Sequence, residues 1–186
     1  MKRILMVAGL GLMAASCASE QAQSPESAFV QEATQLADTY QANLQAELSA
    51  AMKQVGPVGA IGVCQSVAPA IAADMSSKGN LVVARIARRN RSPDNAVPAE
   101  LDALYQQLER EPLRDGKPHV VTATIGEREV FMRAVPMKDQ PCSQCHGTNI
   151  APEVKAAIAT SYPNDRAIGF AAGHLRGAML VTRPAR

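Results

Sequence analysis

Apolar residues recur at three- and four-residue steps from Phe29 through Ala33, Leu36, Tyr40, Leu44 and Leu48, the spacing that lays one stripe of side chains along a helix face. Ser24 and Pro25 stand in front of that run as N-cap and first-turn residues. Gly56-Pro57 is expected to stop it, because proline cannot continue the hydrogen-bond ladder. A second run, residues 60–75, is rich in Ala, Val and Ile, contains Cys64 and is followed by Gly79-Asn80. It predicts a mostly buried helix with Ile61, Cys64, Ala68 and Ile71 on one apolar face.

After residue 80 the period changes. Residues 81–86 predict a short strand, 87–95 a basic, turn-rich surface loop, and 98–109 a short helix. Residues 119–125 and 128–135 are β-branched, partly alternating runs that meet at Gly126-Glu127, a hairpin signature. Residues 152–160 predict another helix and 180–182 a last strand. The sum is an α+β domain over residues 25–186, with a small antiparallel sheet flanked by helices. The chain shows no internal repeat.

The first residues change the picture of where the chain works. Lys2 and Arg3 precede an apolar stretch, residues 4–15, too short to span a bilayer comfortably. It ends in Ala14-Ala15-Ser16-Cys17, and small residues directly before a cysteine are similar to the lipobox of bacterial lipoproteins. The expectation is a leader over residues 1–16, lipidation at Cys17, a polar tether over 17–24, and a mature protein anchored to the membrane in the periplasm. The usual Leu three positions before the cysteine is replaced by Ala14, which leaves ordinary leader cleavage as the alternative. Ala18 in place of Asp after the cysteine favours the outer membrane.

Composition adds two constraints. Aromatic residues make up 3% of the chain and Trp is absent, so aliphatic side chains must build the interior, and a cofactor could fill volume that rings usually occupy. The 19 basic and 17 acidic residues give a net charge of +2 without long runs, which excludes a nucleic-acid footprint.

The strongest chemical signal is Pro141-Cys142-Ser143-Gln144-Cys145-His146-Gly147. Two thiols three positions apart on one helical turn can both add to haem vinyl groups, with the next His placed beneath the iron; this is the c-type haem attachment pattern. One covalent haem c is expected on Cys142 and Cys145, with His146 as proximal ligand. The alternatives are a structural zinc site, for which no second ligand pair at knuckle spacing exists, and a Cys142–Cys145 disulfide. Cys64 is then left alone. From spacing, the distal position stays open among Cys64, Met132, Met137, His174 and His119. His119 follows Pro118 at a strand start and reads as solvent-facing, and His174 reads as a surface or packing residue.

Several segments together carry a resemblance: Ala60-Ile61-Gly62-Val63-Cys64 with Ala68-Pro69-Ala70-Ile71-Ala72, the loop from Arg88 to Asn95, the Cys-Ser-Gln-Cys-His-Gly run, Ser161 to Phe170, and Gly173-His174-Leu175-Arg176-Gly177. In that order they resemble a bacterial family of single-haem c-type proteins with a PAS-like fold, long catalogued as a domain of unknown function. The resemblance implies His/Cys ligation, with Cys64 as the distal sulfur and His146 as the proximal nitrogen. It also implies a PAS-like antiparallel sheet with flanking helices. Arg88, Arg89, Arg91, Tyr162 and Arg176 match family positions and are candidates for haem propionate contacts.

The function expected from these readings is electron transfer at low potential by a membrane-tethered, periplasm-facing cytochrome that works with redox partner proteins. The alternative is a haem-based redox or gas sensor acting through a partner. A structural lipoprotein without haem is the third class. No acid, base or open metal site points to an enzyme.

Overall fold

A computed structural model describes residues 25–184 of the chain. The leader, Cys17 and the tether lie outside the described residues. Helix α1 (Pro25–Gly62) is kinked at Gly56, which adopts φ 69°. The proline after it therefore bends the rod where the sequence predicts an end. A π-helical turn, Val63–Val67, joins α1 to α2 (Ala68–Ser77). Strand β1 (Val82–Ile86) follows, then two single 3-10 turns and helix α3 (Asp102–Arg110). A small two-stranded ribbon, β2 (Leu113–Arg114) with β3 (Lys117–Pro118), leads into the hairpin β4 (Val120–Ile125) and β5 (Arg128–Pro136). Helices α4 (Ser143–His146) and α5 (Pro152–Ser161) precede β6 (Leu175–Pro184).

The sheet is antiparallel throughout, in the order β1-β6-β5-β4. With helices on both of its faces the fold is α+β. Alternation along β5 divides the core in two. Val130, Met132 and Ala134 face α3, where they meet Leu101, Tyr105 and Leu108. Phe131 faces the other way, packing with Val83, Met179 and Val181 against Phe29, Ala33, Ala37 and Tyr40 of α1. Each large apolar side chain buried in these layers contributes roughly 1.5–3 kcal/mol before chain entropy is counted. Two buried arginines also hold α1 on the sheet. Arg183 pairs with Glu32 and Glu129, and Arg133 pairs with Asp38.

Three further local expectations are corrected. The last strand runs from Leu175 to Pro184 rather than over residues 180–182, because pairing with both β1 and β5 extends it through polar positions that lack strand periodicity. Residues 87–95 are not simply a surface loop: Ala87, Asn90 and Arg91 are buried. His119 is 5% exposed, not solvent-facing, and its Nδ1 lies 2.9 Å from the Glu111 carbonyl oxygen. The β2–β3 ribbon brings it there, closed by a hydrogen bond from the His119 amide to the Pro112 carbonyl (3.1 Å).

Candidate functional site

One face of the sheet, the second half of α1, the π turn and the α4 segment enclose a cavity of about 1290 Å³, its open mouth included. Tyr40, Leu44, Leu48 and Met52 line it from α1, Cys64 from the π turn, and Cys142, Cys145 and His146 from α4. Arg85 and Met179 form part of its floor on β1 and β6, and Met137, Tyr162 and Arg176 complete it.

Local geometry explains how α4 presents its side chains. The main chain of Cys142 accepts from the amides of Cys145 (3.2 Å) and His146 (3.0 Å), making one tight turn. That turn is clamped from outside by residues 167–170. The amides of Gly169 and Phe170 donate to the carbonyls of Gly147 (2.8 Å) and His146 (2.9 Å). The imidazole is fixed in the same way, with Nδ1 2.6 Å from the Ala167 carbonyl oxygen. Nδ1 is therefore the protonated nitrogen, which leaves Nε2 as an acceptor or ligand atom. Burial, followed by the charges of Arg176 and Arg91, holds the His146 pKa well below the ordinary histidine value, so the ring is neutral.

A buried ion pair underpins that arrangement. Arg91 Nε donates to Asp165 (3.2 Å), both side chains being 7% exposed, and Arg91 also donates to the Cys145 carbonyl at 2.6 Å. Asp165 accepts from the Ala167 amide at 2.9 Å. Arg91 and Asp165 thus tie the thiol-bearing turn to the segment that orients His146.

Cys64, Cys142 and Cys145 are separate thiols, and no cluster of His, Cys, Asp and Glu among the described residues could hold a zinc ion. Burial pushes the Cys145 thiol up, keeping it protonated. The π turn at Cys64 adds a residue to the helical register between α1 and α2. Ile61 accordingly packs on Val154 and Ile158 of α5, while Ile71 packs against the sheet-facing core. Cys64 shares neither cluster and points between them into the cavity. Of the other distal candidates, Met137 lines the cavity. Met132 is buried on the α3 face, and His119 and His174 lie outside the lining. Arg89 also lies outside it, stacked 4.0 Å from the Phe170 ring centroid. Tyr162 and Arg176 are inside.

Arg85 and Asp165 carry no expectation from the sequence. A signal for Arg85 was nonetheless present, since it follows Val83 at a two-residue step, so a strand places it on the buried face.

The model of the Tll0287-like family matches residues 15–184. The chain belongs to the Tll0287-like family. The crystal structure of the cyanobacterial heme-protein Tll0287 has the same fold, with a TM-score of 0.61 and 24% identity, over 88% of this chain and 97% of that one. No curated protein matches the chain. At that identity the likeness to the cyanobacterial protein speaks for the shared fold, and the donor set described above belongs to this chain's own residues.

The residues present fit a haem. Two thiols and an imidazole stand on one turn, a third thiol faces them from another element, the walls are apolar, and arginines stand at the floor. When bound, haem supplies reversible one-electron chemistry at its iron. The chain's own contribution is to place Cys142 and Cys145 on one turn at the cavity wall, keep His146 neutral and oriented through Ala167, and line the cavity with the aliphatic side chains of α1.

Proposed function

We propose that the protein is a mono-haem c-type cytochrome that transfers electrons at low potential, with haem attached through Cys142 and Cys145, His146 as proximal ligand and Cys64 as distal ligand. The observation that carries this reading is the convergence of Cys64, from the π turn, with the Cys142–His146 turn on a single cavity. The structural relative described as a heme-protein and the membership of the family support it. π-helical turns occur often at functional sites because they re-aim one side chain out of the helical register. An anionic sulfur at iron favours the ferric state, and a fully coordinated iron is shielded from substrates, which suits a carrier rather than an enzyme. Export and lipidation at Cys17 would place that carrier at the periplasmic membrane surface, in reach of redox partner proteins.

Cys64→Ala tests the ligand set. The ferric protein should lose its thiolate absorption bands, its midpoint potential should rise, and the reduced form should bind carbon monoxide. An unchanged ferric spectrum and potential would assign the sixth position to another group, with Met137 the next residue to replace. Carbon monoxide binding by reduced wild-type protein, with loss of the sulfur ligand, would instead favour the gas-sensor reading.

A further inference from the structure

The floor of the cavity adjoins a smaller polar recess, about 300 Å³ with its open space included. Arg85, Arg91, Asn95 and Arg176 line both the cavity and the recess. Arg91 is neutralised by Asp165. Arg85 and Arg176 pair with no carboxylate among the described residues. Arg176 is only 9% exposed, and its buried Nε has no hydrogen-bond partner. An orphaned guanidinium nitrogen in a buried site is costly, and the cost disappears when an anion supplies the acceptor.

The backbone is built to deliver Arg176 to this place. The β5–β6 register shifts between Val135 and Pro136, which pair with Gly177 and Leu175, so Arg176 is the extra residue of a bulge. A bulge turns its side chain away from the regular alternation. Phe170 supports the guanidinium from behind, with its ring centroid 5.4 Å from Cζ.

We infer that Arg85 and Arg176 form a dicarboxylate-binding subsite, and that the haem stands with its two propionates buried against the sheet rather than turned to solvent. The inference rests on the haem reading above and deepens it by fixing the direction of the macrocycle in the cavity. Two unpaired guanidinium charges match the two carboxylates of one haem, and guanidinium binds carboxylate through paired N–H donors.

Accessibility of the carboxylates to a water-soluble carbodiimide and an amine tests this in the haem-loaded full chain, with amide formation read from the mass of the haem-bearing peptide. In native wild-type protein the propionates should react about tenfold or more slowly than in denatured protein. Arg85→Gln and Arg176→Gln should each remove most of that protection, Arg85→Lys and Arg176→Lys should restore part of it, and Arg183→Gln, at a buried arginine that lines neither the cavity nor the recess, should leave it unchanged. Because Arg85 is only half-buried, its variants keep the test open if Arg176→Gln does not fold. Equal reaction rates in native and denatured wild type would place the propionates at the mouth and overturn the subsite while leaving the cytochrome reading intact. Protection lost equally in Arg183→Gln would also overturn it, since loosening of the fold would then explain the exposure. Absence of any haem-bearing peptide would overturn both readings.

Discussion

His146 carries the site's chemistry at the scale of single residues, and its surroundings make its protonation a cost to the haem-free chain. Its folded pKa lies well below its unfolded value, so the unfolded state takes up a proton that the folded state refuses. Stability is therefore lost as pH falls through the unfolded histidine value of about 6.5, and is recovered above it. In the Cys142→Ala, Cys145→Ala protein the thermal midpoint should fall between about pH 7 and 5, and His146→Gln should flatten that slope. Asp165 acts one step further out. Replacing it by Ala strands the Arg91 charge, which costs about 3–5 kcal/mol, and frees the segment that accepts the His146 hydrogen bond. Chemical denaturation measures the first effect, and a broadened ferric spectrum of the haem-loaded variant reports the second. The Cys-x-x-Cys-His spacing was legible because it lies within one turn of chain. The Arg91–Asp165 pair was not, since its partners stand 74 positions apart and nothing local tells a basic loop that one of its arginines turns inward.

Regular periodicity made most elements readable, and the departures from it are the elements that shape the cavity. The hairpin, α3 and α5 follow the sequence because each carries one clean period and its own turn or cap signals. The π turn and the β6 bulge each insert one residue into an otherwise ordinary pattern, a shift that hydrophobic spacing cannot register. Gly177 shows how tightly the bulged region is packed. A Cβ there would lie 2.7 Å from the Ile86 carbonyl oxygen and 3.3 Å from the Ala87 Cβ. Because that oxygen belongs to the backbone of β1, relief requires the strands to part. Gly177→Ala should cost about 1–3 kcal/mol in denaturant melts, and should weaken propionate protection through Arg176 beside it.

For the whole molecule, the scarcity of aromatic residues acquires a physical meaning. The apolar faces of Leu44, Leu48 and Met52 turn toward a cavity, not toward a packed ring, so the haem-free chain lacks packing on one side of α1. Haem loading should raise the thermal midpoint, by about 2–4 °C for each kcal/mol by which the bound haem stabilises the folded state. Tethering belongs to the same scale: Cys17→Ser should shift the protein from the membrane to the soluble fraction, since acyl chains supply the anchor in this account. The cytochrome reading turns on covalent attachment of haem through Cys142 and Cys145. Its most direct test is the intact mass of the full chain, made with haem-c maturation, after extraction in acid acetone. Covalent attachment predicts a coloured polypeptide heavier by one haem, and no added mass when Cys142 and Cys145 are both Ala. A colourless polypeptide of unmodified mass, with the haem recovered in the acetone, would contradict it.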